Sequence, residues 1–408
     1  MAHGRRGQIT PSRTRQLMQP IHIGQFTDSF PPIINGVSTF VSEHHAELLA
    51  CGQAAHVFTF GYTGHPDLDA NIWRSPGLPL GTSQFRMGWR LRAEAQHAVA
   101  TLDVLHAHEA IDIGHVAAAM ARQHLRPLIF TNHTRHDLYV QNYPRLVQPL
   151  LLRFVSQNIG RFVRNSTLTT APSQDSVRWL QSLAPDAADR IRVVRNGIRL
   201  DAFDRPLDRA LRATRGIPEE RTLFIYVGRV TPEKNLMAFA EALILAIHSG
   251  ADAHWMIIGD GQSSAALEAQ VAPIRSRVSF LGTMPRAQIP QYLAMADIFA
   301  TTSFSEVNPV SVIEAMACGK PYLGLCAAWW DEFSDESNPE PAGILTEDDP
   351  RELAAAIQRL CADRGLHERM GARAKCLSRR FDIRVVTAQW IEIYREIIEA
   401  NHQNRPTA

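Results

Sequence analysis

Two glutamates, Glu306 and Glu314, stand eight positions apart in the stretch SEVNPVSVIEAMACGKP, residues 305–321. Val310, Val312, Ile313, Ala315, Met316 and Ala317 surround Glu314 in sequence, where an unpaired carboxylate is costly to desolvate. It needs either a cation beside it, with Lys320 or an arginine as the structural choice, or a wet cleft with a ligand. The segment GRVTPEKNL carries Arg229 and Lys234, two cations suited to a diphosphate: arginine binds it bidentately and lysine acts as a point charge. A solvated loop with Glu233 partly neutralising Lys234 is the plain alternative. In TDSFPPIINGVSTFV, Asn35 and Gly36 precede a helix starting near Val37, whose bare amides and positive end face an anion, although an Asn-Gly pair is equally an ordinary turn. PLIFTNHTRH puts His133 at the end of an apolar run with His136 behind it, placed for a substrate or as a satisfied structural group. His106 and His108 in DVLHAH face the same choice, with His106 leaning to the structural side.

Short apolar runs alternating with helical patterns must position these groups. In the first half the predicted strands are 20–26, 54–60, 103–108, 127–133, 168–173 and 191–196, with helices over 37–51, 112–124, 145–164 and 174–184. The rhythm restarts with strands at 222–230, 254–261, 278–282, 297–303 and 321–326, and helices near 235–249, 263–272, 287–295 and 309–318. In the last helix Asn308 serves as N-cap, Pro309 as first helical residue and Gly319 with Pro321 as the stop. Strand–helix–strand order predicts α/β architecture, two doubly wound parallel sheets in tandem. Ligands of such sheets bind outside the carboxyl ends of the strands, which is where the chemistry-bearing residues fall. We expect a flexible tail at 1–18, a first domain over 19–200 and a second over 201–382, with the boundary inside the polar stretch 197–220. A terminal helix, 383–408, carries Val385, Val386, Trp390, Ile393, Tyr394, Ile397 and Ile398 on one face and packs back on the first domain.

With 408 residues the chain exceeds one ordinary core, and 45% apolar with 20% charged residues describes a globular protein. The tail holds Arg5, Arg6, Arg13 and Arg15 without the apolar core of a secretory signal, so the expected location is cytoplasmic. Five cysteines without a C-x-x-C pair, and histidines without H-E-x-x-H spacing, suggest neither a disulfide framework nor a metal site. The net charge of +1 argues against a nucleic-acid partner. Residues 1–190 carry 17 arginines, no lysines and 13 acids, a net +4 against −3 in the remainder, a bias toward anions or a membrane surface. QFRMGWRLR (84–92) and PRLVQPLLLRFVSQNIGRFVR (144–164) mix arginines with large apolar residues; for the second, a core helix with arginines at its rim is the favoured reading. A nicotinamide dehydrogenase would need G-x-G-x-x-G and an acid about twenty residues on, which neither half supplies.

Taken in order, TDSFPPIINGVSTF, DVLHAHE, TNHT, RNGIRLDAF, VGRVTPEKN, IGDG, FLG and SEVNPVSVIEAMACGKP make the chain resemble glycosyltransferase family 4 along nearly its whole length, the last piece matching its E-x7-E signature. The resemblance implies the GT-B fold, two Rossmann-like domains facing a central cleft, and a retaining, metal-independent hexosyltransferase without further cofactor. It implies a UDP- or GDP-sugar donor, with Arg229 and Lys234 on the diphosphate, Glu314 on the ribose hydroxyls, and Glu306 and His133 on the transferred sugar as the catalytic groups. Asn35 and Gly36 would let the first loop approach the phosphates. TNHTRHDLYV is similar to bacterial diacylglycerol glycosyltransferases, which implies a lipid acceptor and peripheral contact with the inner face of the membrane. A glycan acceptor in exopolysaccharide or soluble-acceptor synthesis is the alternative, and a non-catalytic nucleotide-sugar binder a further one. Where the family commonly has Phe-Gly, this chain has Asn308 and Pro309, and Pro309 brings no backbone N–H.

Overall fold

The computed structural model describes residues 19–33, 35–61, 69–79, 85–140, 143–205, 209–334 and 340–403. The tail 1–18, Gln84 and the end of the terminal segment, 404–408, lie outside these residues. Among the described residues fifteen strands run in chain order: β1 His22–Phe26, β2 Ala54–Gly61, β3 Ile72–Pro76, β4 Leu78–Pro79, β5 Arg86–Met87, β6 Val104–Ala107, β7 Leu128–Thr131 and β8 Leu168–Ala171. They continue with β9 Ile191–Val193, β10 Thr222–Val227, β11 Ala253–Ile258, β12 Val278–Phe280, β13 Ile298–Thr301, β14 Tyr322–Leu325 and β15 Gly343–Thr346. One sheet has the order β3-β2-β1-β6-β7-β8-β9 and the other β12-β11-β10-β13-β14-β15, all neighbours parallel, with β4–β5 a small antiparallel pair. Central strands such as β6 (VLHA), β7 (LIFT) and β13 (IFAT) are buried throughout because helices cover both faces, which is why they read as apolar runs rather than as alternation.

Each sheet reverses its strand order once, between β1 and β6 and between β10 and β13, so the loops leaving those strands splay apart into a crevice. The chain crosses between the sheets twice, side by side. Ile198 accepts from Ile383 N at 2.9 Å and donates to Phe381 O at 2.9 Å. Gly197 sits in the first crossing, where a Cβ would lie 2.9 Å from Val386 Cβ and 3.0 Å from Ile383 Cα.

The terminal helix Ile383–Gln403 leaves this crossing and packs on the first sheet, with Ile383, Val386, Trp390, Tyr394 and Ile397 joining Ile21, Ile23, Phe40 and Val41 in one core. Val385, expected on that face, is exposed instead. The reason is angular: Val386, Trp390, Ile393 and Ile397 follow the helical repeat, and Val385 falls about 100° off their stripe.

Two readings need correction. The sequence contains strands at 72–76 and 343–346 that the apolar runs did not reveal; both sit at or beside a sheet edge, where a strand needs little apolar content. The helix over the arginine-rich stretch, Gln148–Asn165, is not a core helix along its length. Its buried residues are Ile159, Gly160, Phe162 and Val163, while Leu146, Leu150 and Phe154 are 93%, 71% and 58% exposed. Phe162 meets Phe130 and anchors the second half; no such inward anchor is buried in the first half.

Candidate active site

The loops after β10 and β13 meet at the reversal point of the second sheet. Gly259, at φ +134°, lets the first of them fold tightly: a Cβ there would lie 1.8 Å from the Gly228 carbonyl oxygen. Lys234 closes a 3₁₀ turn, Pro232–Lys234; Asn235 follows in the left-handed region, and the helix expected near 235–249 runs Leu236–His248. The β13 loop clamps this turn, with Thr302 Oγ1 donating to Asn235 O at 2.7 Å and Ser303 Oγ to Glu233 O at 3.3 Å. Lys234 Nζ and Glu306 Oε1 thereby come within 2.5 Å, both largely shielded from water. Glu233 does not neutralise Lys234; it pairs with the exposed Arg229 at 3.2 Å.

Glu314 lies inside the helix Val310–Ala317, which starts one residue later than expected, with Pro309 in the capping position and no side chain capping it. Asn308 is no cap: both polar atoms of its side chain are buried and unpaired. Gly319 ends the helix at φ +70°, as the sequence implied. The Glu314 side chain is 4% exposed, and its partner is Arg286, Nη1 to Oε1 at 2.5 Å, a residue the motifs did not reveal. Arg286 also reaches across the cleft to Glu43 of the helix Gly36–Ala50, Nη2 to Oε1 at 3.1 Å, so one guanidinium ties the two domains. Lys320, the other structural candidate, donates to Ala294 O at 2.8 Å instead. Burial pushes the Glu314 carboxyl up to about 7, against the opposing pull of Arg286. A raised carboxyl stabilises the fold most below its unfolded value near 4.5, and that contribution is lost as the pH rises through about 7.

The first domain presents Asn35 and Gly36. Asn35 caps the helix Gly36–Ala50, accepting from Ser38 N at 2.8 Å. A Cβ on Gly36 would lie 3.5 Å from Val310 Cγ2, so this loop faces the start of the Glu314 helix across the cleft. His133 leaves β7 and packs beside Phe40, its Nε2 3.0 Å from Nδ1 of His108. Burial lowers His133 to about 3, leaving a neutral imidazole. His106 is structural, held between Tyr394 OH and Thr131 Oγ1 at 2.7 Å each. At the reversal point of this sheet, Glu109 accepts from Asp28 N and Thr27 Oγ1 at 3.1 Å, and burial raises both the Asp28 and Glu109 carboxyls.

Lys234 and Glu306 thus pair within the second domain beside the exposed Arg229, Glu314 lies inside a helix whose first residue, Val310, faces Gly36 of the first domain, and His133 packs against Phe40 in the first domain. Arg286, Glu43, Asn196 and Asp28 escaped the sequence reading, whereas His108 was weighed there beside His106. Glu43 and Arg286 are ordinary helix or loop charges until the fold brings them together; only the piece RNGIRLDAF flagged the neighbourhood of Asn196. Among the described residues no three His, Cys, Asp or Glu side chains gather as a metal ion would require.

The family model described as Glycosyltransferase Family 4 matches residues 34–202, and that described as Glycosyl transferases group 1 matches residues 208–376. The alpha-monoglucosyldiacylglycerol synthase of Acholeplasma laidlawii is 25% identical over 337 residues, covering 78% of this chain and 83% of its own. The enzyme of the same name from Streptococcus pneumoniae is 27% identical, covering 74% and 70%. The crystal structure of Anabaena HepE in complex with UDP-glucose superposes with a TM-score of 0.71 at 21% identity, over 92% of this chain and all of that one.

Proposed function

The chain belongs to glycosyltransferase family 4, with the GT-B fold, and on that premise we propose that it transfers a hexose, with retention and without a metal, from a nucleoside diphosphate sugar to a hydroxyl of a diacylglycerol-type membrane lipid. Glycosyl transfer from a nucleotide sugar is the coarser statement, and it holds for the family as a whole. The observation that supports donor binding is the pairing of cations with carboxylates, Lys234 with Glu306 and Arg286 with Glu314. An incoming diphosphate takes Lys234 and Arg229, leaving Glu306 free to accept hydrogen bonds from the transferred sugar and Glu314 from the ribose. Charge-assisted bonds of this kind contribute about 1.5–3 kcal/mol each. As the glycosidic bond breaks, negative charge grows on the leaving diphosphate, and Lys234 and Arg229 stabilise it where it forms. His133 reaches the sugar from the first domain, so closing the cleft completes the site. Asn35 and Gly36 bring backbone amides near the phosphates.

The lipid acceptor is supported by the names of the two synthases and by the exposed face at Leu146, Leu150 and Phe154, flanked by the exposed Arg145 and Arg153, with Trp89 and Arg90 also exposed. Apolar side chains among arginines suit an anionic bilayer surface, which supports work at the cytoplasmic face of a membrane. Among the described residues no helix is long and apolar enough to cross a membrane.

The test is a thermal-shift screen of UDP-, GDP- and ADP-sugars, then transfer assays with diacylglycerol vesicles and soluble glycans, with and without EDTA. A donor at a hundred times its Kd adds about 2.7 kcal/mol, raising Tm by about 5 °C. Transfer to diacylglycerol in the presence of EDTA, with the anomeric configuration kept, is the expected result. Transfer to glycans alone sinks the lipid reading, and donor binding without transfer to any acceptor sinks the enzyme. Donor affinity should also depend on Glu314: between pH 6 and 8 it rises as the carboxyl ionises. Glu314→Gln weakens nucleotide binding about tenfold or more and flattens that part of the pH dependence. Calorimetric titration checks both, and an unchanged pH profile in the variant removes Glu314 from the nucleotide.

A further inference from the structure

We propose that Arg286 is a latch that the donor must open: its guanidinium covers Glu314 while holding Glu43 of the first domain, and a ribose that takes Glu314 releases that hold. This rests on the reading that Glu314 accepts from the ribose. Arg286 stands in the 3₁₀ turn Arg286–Gln288 of the second domain. Its Nη1 lies 2.5 Å from Glu314 Oε1 and its Nη2 3.1 Å from Glu43 Oε1, with the guanidinium over the Phe203 ring, 6.0 Å from the centroid. Glu43 is itself oriented, because its other oxygen, Oε2, accepts from Arg199 N beside the first crossing between the sheets. One planar group thus joins two carboxylates of different domains.

The Glu314 side chain is 4% exposed, so ribose hydroxyls reach its oxygens only if a neighbour moves. Its own helix cannot yield: Val312, Ile313, Ala315 and Met316 are at most 1% exposed and packed in the core of the second domain. Arg286 can, since it is 36% exposed and held mainly by its two charged partners. Its amino groups are fixed in one rigid plane, so drawing Nη1 off Glu314 turns that plane and pulls Nη2 from Glu43. Ribose binding and the interdomain tie therefore compete. The exchange leaves Glu314 satisfied, because ribose hydroxyls replace the guanidinium as donors; Lys320, which donates to Ala294 O, supplies no substitute. Glu43 keeps Arg199 N and gains water, a small loss for a partly exposed carboxylate. Released from this hold, the first domain is free to settle on the sugar through His133.

Calorimetric titration of the full chain with whichever of UDP, GDP and ADP gives the largest thermal shift reads the competition. Glu43→Gln keeps an acceptor for Arg199 N and weakens the tie, so nucleotide binding tightens about threefold, the size of a partly exposed ion pair. With Arg286→Gln already in place, the same change at position 43 leaves Kd unaltered, because no guanidinium remains to release. A Glu43→Gln variant with the wild-type Kd or a weaker one overturns the latch. Equal tightening in both backgrounds overturns it too, since that is the general effect of removing a negative charge near an anionic ligand. If Arg286→Gln folds poorly, Glu47→Gln, one turn along the same helix, supplies the charge control: a Kd unchanged there supports the latch, and equal tightening there sinks it. Failure of all three nucleotides to bind defeats the proposed function and the latch together, whereas binding indifferent to Glu43 defeats the latch alone.

Discussion

Lys234→Met lowers the rate of glycosyl transfer by about 10²–10³, the loss seen when one preorganised donor is taken from a developing negative charge. The lysine is held for this role by the 3₁₀ turn Pro232–Lys234, which Thr302 and Ser303 fasten to the β13 loop, so its ammonium is aimed before any ligand arrives. Removing it also strands Glu306, its partner at 2.5 Å, which costs about 1–3 kcal/mol of stability. The two losses separate in Lys234→Met/Glu306→Gln: neutralising both groups recovers stability, and transfer stays low. Single-turnover rates with a saturating donor, set beside denaturant unfolding, make the measurement. A single variant that keeps more than a tenth of the wild-type rate takes Lys234 off the leaving diphosphate.

Trp390→Ala costs about 3–5 kcal/mol, the range for emptying a buried aromatic site. Trp390 is fully buried, stacks on Tyr394 with ring centroids 5.5 Å apart and packs 4.5 Å from the His106 ring. It is the largest side chain joining the terminal helix to the first sheet, so its loss loosens an element that starts at the crossing between domains. Urea unfolding followed by circular dichroism reads the change, and a loss below about 1 kcal/mol would mean that the helix is held elsewhere. Because Tyr394 also anchors His106, whose ring packs at a tilt against His108 beside His133, weaker transfer should accompany the weaker fold.

Much of the architecture was legible because it rests on short-range regularities. Fully buried strands such as LIFT and IFAT declare themselves as apolar runs, and Gly319 before Pro321 can only end a helix. The spacing of Glu306 and Glu314, with Arg229, Lys234 and His133 elsewhere in order, identified the family. What misled was local reasoning about burial. The helix Gln148–Asn165 has a core-like composition, yet half of it faces solvent, since composition does not say which neighbours arrive. Local order also left open whether Glu233 neutralises Lys234; the fold gives Glu233 to Arg229 and Lys234 to Glu306.

By itself, then, the amino-acid order determined two parallel α/β units, the elements that carry the charged and imidazole groups, and the kind of ligand those groups suit. Tertiary structure alone decided who partners whom: Arg286 between Glu43 and Glu314, 243 and 28 positions away, and His108 against His133, 25 positions on. Backbone periodicity is set by neighbours within a few residues. The pairing of a buried charge or proton is set by whichever chain segments the packed sheets bring within about 3 Å, and no local pattern encodes that meeting.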